Sequence, residues 1–93
     1  MSVETLASKY IVSTEKVLRE MQRVKGSITV NEECIDNIIA YVTTYLADAK
    51  YYKAQKRFET SLTSIAYCEG LLDALKLLGA VKFEWAANTK NEP

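Results

Sequence analysis

Three carboxylates and two thiols are the side chains in this chain best suited to chemistry. Asp48, Glu69 and Asp73 fall within helical periods, and paired carboxylates can hold a metal ion or move a proton. Spacing weighs against a shared site. In a helical hairpin turning near residue 56, Asp48 lies level with Ser64. Glu69 then stands about 7 Å further along the axis, and Asp73 about 6 Å beyond it. Only Glu69 and Asp73, four residues apart, could share one ion, and a six-oxygen site would need four ligands from elsewhere. The plainer expectation is that Asp73 pairs with Lys76 and Asp48 bonds a hydroxyl such as that of Ser64.

Cys34 and Cys68 form no CxxC pair, and two isolated thiols without histidine cannot complete a zinc tetrahedron. In the same hairpin they lie about 15 Å apart along the axis, whereas a disulfide needs Cα atoms within about 7 Å. Both are read as small buried hydrophobes. The chain has no His, which removes histidine triads and the commonest general base. Ser61 and Ser64 have no base to activate them. No catalytic residue, metal site or cofactor is therefore predicted.

Lys50, Lys53, Lys56 and Arg57 form a basic cluster beside Tyr51, Tyr52 and Phe58. Cations interleaved with rings can hold a single strand by charge and stacking. The footprint is small, however, and twelve basic residues balance twelve acidic ones. Four cations at a helix C-terminus also have an ordinary role against the helix dipole. Nucleic acid ranks below protein as a partner.

The elements that carry these residues are helices. Val3, Ala7, Tyr10, Thr14, Val17, Met21 and Val24 make a heptad seam, with Gly26 as the glycine that ends it. Ile35, Ile38, Val42, Tyr45, Ala49 and Tyr52 make a second seam. Thr29 with Glu32 offers a capping box before it, and Asn31 is the rival cap. A third seam restarts at Phe58 and runs through Leu62, Ile65, Cys68, Leu72 and Leu75 to Gly79. That segment is also apolar on a second flank, where Ala66, Gly70 and Ala74 suggest close approach by a neighbouring helix.

Short breaks make neighbouring helices antiparallel. The prediction is an all-α, up-down-up three-helix bundle with helices near 3–25, 30–54 and 57–79. One unbroken helix from Val30 to Leu78 is the rival reading. The bundle occupies residues 1–80 as a single domain. The tail, 81–93, is extended where Val81, Phe83 and Trp85 alternate with Lys82 and Glu84, then disordered. Apolar runs are too short to span a membrane and no signal peptide opens the chain, so the expected setting is cytoplasmic.

Two blocks resemble a known family. One is Tyr45-Leu46-Ala47-Asp48-Ala49-Lys50-Tyr51-Tyr52; the other runs Ala66-Tyr67-Cys68-Glu69-Gly70-Leu71-Leu72-Asp73-Ala74-Leu75 and closes at Leu78-Gly79. Together they resemble the archaeal short-protein family catalogued as domain of unknown function 357. The resemblance implies a small helical bundle in an archaeal cytoplasm, and it carries no activity, substrate or cofactor. Where that family has Gly-Asp between the two helices, this chain has Lys56-Arg57, so the expected N-cap carboxylate is missing.

The functional expectation is a non-catalytic helical module working by protein–protein contact or as a homodimer. Val81, Phe83 and Trp85 are its candidate interface, because an apolar row beyond filled seams must find another surface: a groove of its own bundle or, the favoured outcome, a second copy. The alternatives are a small-ligand or metal binder using Glu69 and Asp73, or a weak nucleic-acid binder using the basic loop end.

Overall fold

The computed structural model describes residues 2–86; the disorder expected of the tail beyond residue 86 lies outside that range. Three helices appear in order, α1 (Val3–Glu20), α2 (Glu32–Ala54) and α3 (Phe58–Leu77), and no strand occurs among the described residues. The all-α reading holds, and the chain breaks between α2 and α3 as the seams require.

Helices α2 and α3 pack closely. Their antiparallel register is visible in three cross-links. The Ser61 hydroxyl donates to the Ala49 carbonyl at 2.7 Å, and the Cys68 thiol donates to the Val42 carbonyl at 3.4 Å. The Tyr45 and Tyr67 rings meet with centroids 4.5 Å apart. Ala49, Cys68 and Leu75 are the buried core among the described residues. Small side chains at Ala49 and Ser61 let the two backbones approach, and Leu75 fills the opposite end of the interface.

Local signals place the ends. Ser2 caps α1 by accepting from the Thr5 N–H at 3.0 Å. Asn31, not Thr29, caps α2, accepting from the Cys34 N–H at 2.9 Å; its carboxamide sits in extended backbone directly before the first helical residue, the position a cap needs. Helix α1 stops at Glu20, well short of Gly26. Met21 is already extended, with φ −63° and ψ 147°, so Gly26 serves a later bend at φ +88° rather than a helix cap.

Helix α1 carries no buried residue. No close backbone approach joins it to α2 or α3. Its first turns face the start of α3, where Val3, Leu6, Ala7 and Tyr10 look across a cleft of about 380 Å³ toward Glu59, Thr60 and Thr63.

A second expectation needs correcting. Gly70 is exposed, and a Cβ added there meets nothing within 4 Å. Ala66 and Ala74 are exposed as well. The flank they share points away from α2, so no neighbouring backbone exploits its small side chains and Gly70→Leu would crowd nothing.

Both α2 and α3 end in the same reversal. After α3 the Gly79 N–H donates to the Lys76 carbonyl and the Ala80 N–H to that of Leu75, with Gly79 at φ +78°. After α2 the Lys56 N–H donates to the Lys53 carbonyl and the Arg57 N–H to that of Tyr52, with Lys56 at φ +61°. This two-bond closure needs a left-handed residue, normally glycine, and a side chain in that conformation costs about 1–2 kcal/mol. Lys56→Gly should therefore raise unfolding stability by roughly 0.5–1 kcal/mol after the extra chain entropy of glycine, and Gly79→Lys should lower it by at least as much. Urea midpoints of the two variants check both signs.

Candidate functional site

The three carboxylates do not assemble. Asp48 and Glu69, both half-buried, come from α2 and α3 and act on the thiol of Cys68. Burial pushes that thiol above its ordinary value of 9.0; the two negative charges add to the push, and a backbone hydrogen bond opposes it. Asp73 turns elsewhere. Its carboxylate accepts from the Trp85 indole N–H at 2.8 Å, so its partner is the tail rather than Lys76. No group of three His, Cys, Asp or Glu residues among those described comes close enough to hold a metal ion. No hydrogen bond joins Asp48 to Ser64; Ser61, one turn earlier, makes the inter-helix bond instead.

Within the single chain the tail lies along α3. The Gly79 reversal sends the chain back along α3. Val81, Phe83 and Trp85 are then half-buried while Lys82 and Glu84 are exposed, the two-residue alternation the sequence predicts. The Phe83 and Trp85 rings meet edge to face at 5.1 Å. Lys76 stands 5.0 Å over the Phe83 ring and pairs with Glu84 at 3.6 Å. Asp73 and Lys76, one turn apart on α3, thus anchor the row predicted to reach a second copy. Sequence spacing could have suggested this pairing, since an indole in an apolar row needs an acceptor once buried.

The basic cluster divides between two surfaces. Lys50 and Lys53 stand beside an apolar groove of about 330 Å³ floored by Leu46, Ala49, Leu62 and Ile65. Lys56 and Arg57 line a separate hollow with Phe58, Glu59 and Thr60. Arg57 lies 4.9 Å over the Tyr52 ring, which engages one of the rings a nucleic-acid strand would stack on. As the missing Gly-Asp pair implies, Arg57 occupies the N-cap of α3 without making a side-chain cap bond.

Residues 9–81 match the family described as Protein of unknown function (DUF357). The chain belongs to this family. The match takes in most of α1 as well as the hairpin, and it ends before Phe83 and Trp85. No curated protein and no solved structure matches the chain. The DUF357 match names no activity, so the chemistry at the hairpin's surface is read from geometry.

Two outcomes follow. Asp73→Asn keeps the shape of the acceptor but removes its charge, and hydrogen bonds to charged groups exceed neutral ones by about 1 kcal/mol. The tail should loosen, shifting Trp85 fluorescence to longer wavelength with α2 and α3 intact by circular dichroism. For Cys68, a folded-state pKa above the unfolded value favours the neutral thiol in the fold. Its stabilising effect is complete below about pH 9 and is lost as pH rises through the shifted pKa. Stability measured in Cys68→Ala should lack this alkaline decline, while Cys34, which is exposed, should alkylate readily at neutral pH ahead of Cys68.

Proposed function

We propose that this DUF357 chain is a non-catalytic helical module whose work is contact with protein, self-association included. The observation that carries the reading is α1: an 18-residue amphipathic helix with no buried residue. An isolated helix of that length is marginal in water, so its apolar side needs a protein surface. Asp73 supports the same reading, because its carboxylate is engaged in holding the tail. Two unpaired cysteines fit a reducing cytoplasm, the archaeal setting that the family resemblance implies. No helix among the described residues is long and apolar enough to cross a membrane.

A metal or small-ligand role for Glu69 and Asp73 is the reading to test against. A ligand that binds only the native state must raise the melting temperature. Divalent metals and nucleotides should leave the melting temperature of the full chain unchanged. A rise that disappears in the Glu69→Gln, Asp73→Asn double variant would overturn the non-catalytic reading in favour of the ligand-binding one.

A further inference from the structure

An apolar groove stays open where α2 and α3 approach their turn. Leu46 and Ala49 of α2 line it with Phe58, Leu62 and Ile65 of α3, and its charged members are Lys50 and Lys53. Its remaining polar group, the Ser61 hydroxyl, is already engaged by the Ala49 carbonyl. Phe58 and Leu62 belong to the seam that periodicity marks for packing, yet they are 60% and 68% exposed. No residue of the tail or of α1 lines the groove. The tail's anchors, Asp73 and Lys76, lie two turns or more beyond Ile65.

Helix α1 carries an edge that matches it. Tyr10, Ile11, Thr14, Glu15 and Leu18 border a shallow hollow on α1 alone, where Ile11 and Leu18 are 59% and 61% exposed. At about 100° per residue, Glu4 and Glu15 fall beside Ile11 and Leu18, whereas Lys9, Lys16 and Arg19 fall on the back of the helix. An apolar edge with acidic neighbours thus sits on the same chain as an apolar groove with basic ones. The chain's own α3 meets a different side of α1. There Val3, Leu6, Ala7 and Tyr10 look toward Glu59, Thr60 and Thr63, about a quarter turn round the helix from Ile11 and Leu18.

We propose that this edge of α1 from a second copy seats in the groove, and reciprocally, so that two identical contacts close a two-fold dimer. The inference deepens the self-association reading above and rests on it. The spans agree, since Ile11 to Leu18 and Leu46 to Lys53 each cover about 10.5 Å of helix. Whichever way α1 runs, Glu15 then comes level with Lys50 or within one residue of it. Ile11 and Leu18, two turns apart, are the anchors of a helix laid in a groove. The opposed charges fix its register and speed its encounter more than they add affinity. Both halves of the contact stand on one chain whose own fold leaves them uncovered, which makes a second copy the occupant.

Sedimentation equilibrium of the full chain across a dilution series at low salt tests this. The wild-type mass is expected at about 21 kDa, twice the 10.5 kDa chain. Leu18→Lys on α1 and Leu62→Lys in the groove should each weaken the dimer at least tenfold. Both side chains are exposed, so the far-ultraviolet spectrum should be retained. Glu15→Lys in one chain, and Lys50→Glu with Lys53→Glu in another, should each weaken self-association several-fold. An equimolar mixture of those two chains should restore it, because every mixed pair regains opposite charges at both contacts. A wild-type chain that sediments as a monomer throughout overturns the inference, and leaves the non-catalytic reading to its own thermal-shift test. A dimer that survives Leu18→Lys or Leu62→Lys also overturns it, because association then uses another surface. So does a charge-reversed mixture that pairs no better than its parts. If Leu62→Lys disturbs the hairpin, Leu18→Lys still decides, since α1 has no buried residue to lose.

Discussion

The structure depends on one seam, the line along which α2 and α3 touch. Its buried members among the described residues are Ala49, Cys68 and Leu75, and two hydrogen bonds from α3 side chains to α2 carbonyls fix the register there. A seam this narrow buries little, and small domains are marginal because a large share of their surface stays wet. Every other feature compensates for it. The tail adds a third layer by folding back at Gly79, and the Trp85–Asp73 bond secures that layer at its far end. Burial also keeps the Cys68 thiol neutral at this seam.

The hairpin was legible in the sequence because its signals are local or periodic. Seams at three- and four-residue steps gave α2 and α3 their faces, and the level pairing of a hairpin turning near residue 56 gave the register that Ser61 and Cys68 display. Lys56-Arg57 in place of Gly-Asp was read as a missing N-cap carboxylate, and the structure adds that Lys56 takes a positive φ, the left-handed conformation glycine would adopt freely. Less legible were the features that depend on which of two apolar flanks a third element chooses. Helix α3 is apolar on two flanks, so periodicity alone could not say that Gly70 would face outward. Helix α1 ended at Glu20, with Met21 already extended, although its heptad continued to Val24.

Chemistry was harder to read than shape. Asp48, Glu69 and Asp73 were singled out as a set by residue type, yet the fold does not gather them into a metal site, and Asp73 instead holds an indole. The tail row Val81, Phe83 and Trp85, expected in a groove of its own bundle or on a second copy, lies beside α3 of the same chain, with Trp85 bonded to Asp73. Satisfying the tail internally shifts the question of association to α1, where an apolar strip has no comparable refuge.

Amide hydrogen exchange, resolved by residue and repeated over a wide dilution range, tests the central claim most directly. The claim is that α2 and α3 form the self-sufficient unit and that α1 is ordered by a partner surface. The account predicts protection at Ala49, Cys68 and Leu75 that is independent of concentration, and protection along α1 that is lost on dilution. Protection of α1 equal to that of α2 and α3 at every dilution would contradict it, because α1 would then be closed on its own chain.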